Sequence, residues 1–471
     1  MQARTRTLLF VLIVVLFVVV APVLVLYAKG YSFRTDRRSV VRTGMILIDT
    51  NVPKVTVRVD GGQPNLENDP VILRGLEAGT YHVALSREGY EPWEADLTVE
   101  AEKVTRLDGL LLVLSAPKVQ QPITDQIGRF AVSPNSRFVL YTVTSGTDRG
   151  LWMHTNGEET NRLLAGPNEL DPSSISELRW AQNSRLLLVR DKSNTYWRIS
   201  PHVTTPTLVK LSTLSGVVSS NVELDLDEPT IVYFLDSKQR LWRWSTARQD
   251  AEPEQLASTV QAFAVASPKV FSLTTTAGTT TLNSYDMREN APQPDTIAAL
   301  PQAVVDPASL SITSQGASLV AVLADQQLWL LKRVNGNFTF TSVAQNVSRA
   351  LWSPTGTALL YQRDRELWIR DLEPLAEQTP DFMIATLAQP PTKVTWHPDG
   401  HYVAIMQQAE DQTSVALAFA SRTAPHVQPL GKFTTQLLPQ FARGGLDVLY
   451  SKTGSAKERG LVFLTIAEQL N

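Results

Sequence analysis

Apolar and polar residues alternate along most of this chain in runs of four to eight, the period of a β-strand with one buried face. Residues 350–372, ALWSPTGTALLYQRDRELWIRDL, show the recurring unit. A strand ends at Trp352, Ser353-Pro354-Thr355-Gly356 makes a turn, Leu359-Leu360-Tyr361 opens a second strand, and Leu367-Trp368-Ile369 forms a third. One stretch breaks the alternation. Residues 8–27, LLFVLIVVLFVVVAPVLVLY, are twenty residues without a charge. As a helix they would span about 30 Å, the thickness of a bilayer core. The run exceeds the roughly 7–15 apolar residues of a signal peptide. A transmembrane anchor is therefore expected over 8–27.

The unit recurs. Its turn dipeptides align as Ser133-Pro134, Ala181-Gln182, Leu226-Asp227, Ala266-Ser267, Thr313-Ser314, Ser353-Pro354, His397-Pro398 and Pro439-Gln440, at intervals of 39 to 48 residues. A second landmark keeps the register. Leu151-Trp152, Tyr196-Trp197, Leu241-Trp242, Leu328-Trp329 and Leu367-Trp368 mark the third strand. Trp180, Trp352 and Trp396 stand immediately before a turn, with Phe130 close to it in the first unit. Units of this length suit the blades of a β-propeller, in which neighbouring sheets bury faces that neither could bury alone. Eight units predict eight blades, with seven the alternative if one unit only completes its neighbour. Trp at a fixed blade position reads as packing rather than as a ligand platform.

Between the apolar run and the repeat the pattern is also period two. Residues 28–43 are polar and basic and read as a juxtamembrane linker. Strands follow at Met45-Ile46-Leu47-Ile48 and at Val55-Thr56-Val57-Arg58-Val59, with Asp60-Gly61-Gly62 as a turn. Further strands are expected near Tyr81 to Leu85 and Leu97 to Val99. A small β-sandwich over 44–109 accounts for them, followed by a Pro-containing linker over 110–126 and the propeller over 127–471. The order Gly44, Ile46, Ile48, Pro53, Val57, Val59, Asp60-Gly61, Leu76, Gly79, Tyr81, Val83, Gly89-Tyr90 and Trp93 resembles the PEGA domain. The chain departs from that family at its name-giving Pro-Glu-Gly-Ala turn, where Lys54-Val55-Thr56 follow Pro53. The resemblance implies a non-catalytic extracytoplasmic β-module with a binding or spacing role. The units W-S-P-T-G and W-H-P-D-G, each followed by an apolar strand, resemble the WD40-like repeats of TolB-type propellers. Units four, five and eight fit that resemblance weakly. The fold class expected is all-β, with an N-terminal transmembrane helix, a PEGA-like β-sandwich and a seven- or eight-bladed propeller.

Composition narrows the chemistry. Net charge is −3, so no overall field favours nucleic acid. Cysteine is absent, which excludes disulfides, thiolate metal sites and cysteine nucleophiles. No G-x-S-x-G elbow, P-loop or dinucleotide fingerprint occurs. Of six histidines only His397 and His401 lie four apart, and W-H-P-D-G-H places them across a turn. A metal site needs further ligands on one face. Asp225, Asp227 and Glu228 form one acidic knot, read as a solvated strand face. No catalytic, cofactor-binding or metal-binding residue is assigned, and no cofactor is expected.

Arg4 and Arg6 precede the apolar run, while Lys29, Arg34, Arg37 and Arg38 follow it. That count alone favours a cytoplasmic C-terminus. The short tail before a single span is the form of a signal-anchor, and export is the expectation adopted. The sequence thus predicts a single-pass cell-membrane protein with most of the chain extracytoplasmic. Its propeller would be a non-catalytic platform for an envelope polysaccharide or envelope protein. A propeller-based glycoside hydrolase or lyase is the alternative. Contacts are expected from the long loops at 156–176, 200–221 and 372–392. Oligomeric state is not legible.

Overall fold

The structure, a computed structural model, describes residues 10, 12–21, 31–34, 39–158, 160–181, 183–203, 206–211, 222–225, 227–228, 230–247, 252–289, 292–304, 308–312, 320–374, 378–409, 412–435, 437–452 and 460–468. The chain divides into two compact units. One comprises Met1–Pro117, Ser421–His426 and Ala467–Asn471, and the other Lys118–Ala420 with Val427–Ile466.

The expected transmembrane helix is overturned. Among the described residues no helix is long and apolar enough to cross a membrane. The longest described helical stretch in the apolar run, residues 12–21, rises only about 15 Å, half a bilayer core. The rest of the run, apart from Phe10, lies outside the described residues. With the anchor go the single-pass location at a cell membrane and the membrane as a partner. The expected linker at 28–43 is corrected too. Tyr31–Arg34 pairs antiparallel with Ser39–Thr50, from Tyr31↔Arg42 to Arg34↔Ser39.

In the first unit, two four-stranded sheets form. Ser39–Thr50 pairs with Tyr31–Arg34, with Val71–Glu77, and in parallel with Val104–Leu110. The second sheet runs in the order Asn65–Asn68, Lys54–Val59, Gly79–Ser86, Trp93–Val99. Alternation decides the buried faces, and Ile46, Ile48, Val55, Val57, Val83, Leu85 and Leu97 are all buried. Asp60 and Gly61 both take positive φ, 48° and 67°, and Gly62 N donates to the Val59 carbonyl at 2.9 Å. An Asp-Gly pair suits that turn because both central residues must enter left-handed space.

The second unit contains eight four-stranded sheets in chain order. Their first strands are Ile127–Val132, Ile175–Trp180, Val222–Leu224, Val260–Ala266, Ser309–Ile312, Arg349–Trp352, Lys393–Trp396 and Gln440–Ala442. These eight lie innermost. Most pack beside the first strand of the next sheet, and that of the eighth lies beside that of the first. This is a propeller-like arrangement. Second strands are strongly buried, as in Phe138–Val143 and Ile231–Leu235. Fourth strands are largely exposed, as in Val427–Thr434. Sheet faces meet in shared apolar clusters. Ala131, Leu140 and Leu151 of the first sheet pack with Trp180, Leu187 and Ile199 of the second. Val139 and Tyr141 of the first pack with Leu449, Leu461 and Phe463 of the eighth. Each fully buried Leu contributes about 1.5–3 kcal/mol.

The eighth sheet takes its fourth strand from the other end of the unit. Lys118–Ile123, inside the segment expected to be a linker, pairs antiparallel with Gly460–Thr465, with Thr465 opposite Lys118 and Leu461 opposite Ile123. Pro122 is tolerated because an outermost strand leaves one backbone edge unpaired. The three long loops expected from sequence are corrected in the same way. Each contains the fourth strand of a sheet: Thr160–Ala165, Thr207–Lys210 and Asp381–Thr386. These strands cover the sheets' outer edges, and some of their residues, such as Leu164, Ala165, Ile384 and Ala385, still pack into the apolar clusters.

Two expected outcomes follow. Gln440 Oε1 accepts from Val132 N at 2.9 Å and its Nε2 donates to the Phe130 carbonyl at 3.1 Å, bridging the eighth and first sheets. Gln440→Ala should cost about 1–2 kcal/mol in urea unfolding, since both bonds are to partly buried backbone. In the hairpin of the third sheet, burial works to raise the Asp236 carboxyl. The hydrogen bonds from Lys238 N, Arg240 N, Arg240 Nε and Trp242 Nε1 outweigh it and hold that carboxyl at about 2. A depressed carboxyl adds stability above its unfolded pKa near 4 and loses it as pH falls through about 2. Asp236→Asn should therefore lower the unfolding midpoint at pH 6, by roughly 1 kcal/mol after solvent screening, and match the wild type at pH 2.

Candidate functional site

The inner strands carry two kinds of polar group, those that join sheets at the turn ends and charged ones that are half-buried. The joining groups recur at the turn end. Trp180 Nε1 donates to the Ala131 carbonyl at 3.1 Å, Trp352 Nε1 to Ser311 at 3.3 Å, and Trp396 Nε1 to Leu351 at 3.0 Å. Each bond runs from one sheet to the sheet before it. The tryptophans before the turns are thus packing and joining residues. In the third strands the buried landmark is the residue preceding Trp: Leu151, Leu241, Leu328 and Leu367 are all at 0% exposure, and Tyr196 at 1%.

The expected solvated face holds for Asp227 and Glu228, which are exposed, and is corrected at Asp225. Asp225 is 4% exposed and belongs to no solvated face. Its Oδ1 accepts from Asp227 N at 2.9 Å, Glu228 N at 3.0 Å and Ser267 Oγ of the fourth sheet at 2.7 Å, and its Oδ2 accepts from Tyr233 Oη at 3.1 Å. Asp225 N donates to the Ile231 carbonyl, as Ser133 N does to Phe138 and Ser353 N to Ala358. The third turn thus begins at Asp225, one residue before the expected Leu226-Asp227. Pro439-Gln440 is not a turn either, since Gln440–Ala442 is a strand and the turn follows at Arg443–Gly445. Thr313-Ser314 lies outside the described residues.

His397 and His401 do not converge. His397 is 1% exposed, and its Nε2 donates to the Gly445 carbonyl of the eighth sheet at 3.0 Å. Its Nδ1 lies 2.8 Å from Asp399 Oδ1, a close ionic approach without hydrogen-bond alignment. Burial works to raise the Asp399 carboxyl, and His397 outweighs it and holds it down. A Cβ on Gly445, at φ 98°, would stand 2.1 Å from the His397 ring, so only glycine fits there. Among the described residues no three His, Asp or Glu side chains are grouped to hold a metal.

The second kind gather at two places. The first is a cavity of about 230 Å³ on the inner strands of the second, third and fourth sheets, lined by Arg179, Trp180, Ala181, Leu188, Glu223, Leu224 and Val265. Arg179 Nη1 pairs with Glu223 Oε1 at 3.1 Å, and a second nitrogen donates to the Val222 carbonyl. Their side chains keep 34% and 46% of their surface open. Desolvation raises the Glu223 carboxyl, opposed by Arg179 and assisted by Glu177. Glu177 is itself paired with Arg190 at 3.0 Å. The second place holds Arg349 and Lys393, four residues before Ser353 and His397 in neighbouring sheets. Sequence reading missed both places. Arg179, Glu223, Arg349 and Lys393 are scattered singly over more than 200 residues and converge only through sheet order.

Comparison with known proteins adds one assignment. Residues 43–112 match the PEGA domain family. The matched residues take in all the strands of the first unit's two sheets except Tyr31–Arg34 and the start of Ser39–Thr50. In it Trp93 is buried, and Tyr81 Oη donates to the Glu77 carbonyl at 3.1 Å, consistent with packing roles. No curated protein matches the chain. Among solved structures, the chain is similar to the C-terminal WD40 domain of Sif2 at 12% identity, over 73% of this chain and 98% of that one, with a TM-score of 0.49. A eukaryotic initiation factor is similar at 11% identity, over 74% and 92%, with a TM-score of 0.46. An oligogalacturonate lyase in complex with manganese is similar at 12% identity, over 74% and 93%, with a TM-score of 0.42. Likenesses this distant carry no argument about this chain.

Asp225→Asn keeps the volume and replaces an acceptor-only carboxylate by an amide with one carbonyl oxygen. One of the Tyr233 and Ser267 hydroxyls then faces an NH₂ group. A loss of about 2–3 kcal/mol in urea unfolding is expected, at an unchanged m-value, because a buried donor is left without its acceptor.

Proposed function

We propose that the eight-sheet unit is a binding platform that holds a polar ligand at its inner strands, without turning it over, in a chain that also carries a PEGA domain. The observation that supports this is the Arg179–Glu223 pair at 3.1 Å on the wall of the cavity, with both side chains partly open. A guanidinium and a carboxylate side by side offer donors and acceptors within one hydrogen-bond length. Vicinal hydroxyls of a sugar, or a peptide's amide and carbonyl, present the complementary pattern. The Trp180 ring supplies apolar wall, as small-ligand sites commonly do around a few placed polar groups.

The second reading is a hydrolase or lyase with Glu177 and Glu223 as its carboxylates. Burial, with a smaller contribution from Glu177, raises the Glu223 carboxyl, the direction a general acid requires. Each of the two is held by an arginine, however, and an acid committed to an ion pair is poorly placed to release its proton. Binding without turnover is therefore the reading adopted.

The test is equilibrium binding of the full chain to an array of neutral and acidic oligosaccharides and peptides, with product analysis of whatever binds. A retained, unaltered ligand whose affinity falls at least tenfold in Glu223→Gln is expected. Cleaved product, with turnover lost in the same variant, would replace this reading by the enzymatic one. A ligand indifferent to both Arg179→Gln and Glu223→Gln would move the site elsewhere.

A further inference from the structure

We infer that Arg349 and Lys393 form an oxyanion subsite, taking the carboxylate, sulfate or phosphate group of a ligand held by the inner strands. This rests on the platform reading and names the charge of what the platform holds. The two residues open the inner strands of the sixth and seventh sheets, Arg349–Trp352 and Lys393–Trp396, which lie against each other. Both precede the first turn residue by four positions, so they stand at one level of the unit. Arg129 occupies the same position of the first sheet, four residues before Ser133.

The pairing of charges sets this level apart. Other cations of the unit that are half-buried have a partner, some a carboxylate and some a carbonyl or a ring: Arg179 has Glu223 at 3.1 Å, Arg190 has Glu177 at 3.0 Å, Arg370 has Asp381 at 2.8 Å, Arg162 donates to the Pro201 carbonyl at 3.1 Å, and Arg363 lies over the Trp368 ring at 5.9 Å. Neither Arg349 nor Lys393 has a side-chain hydrogen bond or ion pair among the described residues, although both are half-buried. Burial pushes the Lys393 ammonium down, and the like charge of Arg349 adds to it, with no carboxylate opposing. Two neighbouring cations without a counter-charge cost the free protein stability. An oxyanion between them removes that cost and accepts from both, the arrangement in which charge-assisted hydrogen bonds are strongest.

The test is calorimetric titration of the full chain with inorganic phosphate and, separately, with glucuronate. Binding of one or both is expected, weakened at least tenfold by Lys393→Gln and by Arg349→Gln and unchanged by Arg185→Gln, an exposed cation outside the inner strands. Phosphate alone would mark a phosphorylated ligand and glucuronate an acidic saccharide. Lys393→Gln also removes the like-charge contact, so its thermal midpoint without ligand should equal or exceed that of the wild type. Lost binding then is not lost folding. If the wild type takes up neither anion, or both variants bind as it does, the subsite is wrong. An array ligand that needs Glu223 but not Lys393 would leave the platform standing and remove only this inference.

Discussion

A four-stranded sheet with apolar residues on both faces has no stable existence alone, and that constraint organises the larger unit. Each sheet must find another to cover each face, and the eight do so in chain order, the eighth against the first. The eighth has three consecutive strands of its own. Its outer edge is covered by Lys118–Ile123, so the beginning and end of the unit share one sheet. Severing that pairing would bare the edge of Gly460–Thr465 and loosen the apolar contact of Leu461 and Phe463 with the first sheet.

Polar joints at the turn ends then fix the sheets' register. Three are indoles reaching a carbonyl of the preceding sheet, one is the Gln440 amide, one is Ser267 on Asp225, and one is His397 on Gly445. Each sets a buried or half-buried polar group against a partner on another sheet. Apolar packing tolerates sliding by a fraction of a residue, whereas a buried donor that loses its acceptor costs about 1–3 kcal/mol. Joints at several different positions near the turn ends use Trp, Gln, Ser or His, which is why the repeat looks degenerate in sequence while the sheets are regular.

That degeneracy explains what could be read from sequence. The landmarks Trp180, Trp352, Trp396 and the Leu-Trp pairs placed eight units in register, because burial and one indole bond constrain them strongly. Lys118–Ile123 and the fourth strands were not legible. They lie at sheet edges, where partly exposed residues and the need only for a backbone to pair with leave a weak pattern. Asp225 misled for a related reason: an acidic residue in an alternating strand reads as surface, and only the fold reveals Tyr233 and Ser267 aimed at it. The apolar run at 8–27 satisfied a length rule whose expected helix the described residues do not form.

The inner strands also show how a repeat fold separates architecture from recognition. Positions next to the turn are committed to joining sheets and leave little freedom for a ligand. Positions four residues earlier carry no joint, and there the chain places Arg129, Glu177, Arg349 and Lys393, unlike in charge from sheet to sheet. Stability does not call for Arg349 beside Lys393, since their mutual repulsion works against the folded state. An arrangement that costs stability and joins nothing is more readily explained by what binds there than by the fold. The paired cations Arg179 and Arg190 provide the internal contrast, because their carboxylates already satisfy them. Recognition of an anion therefore belongs to the side of the unit where counter-charge is missing.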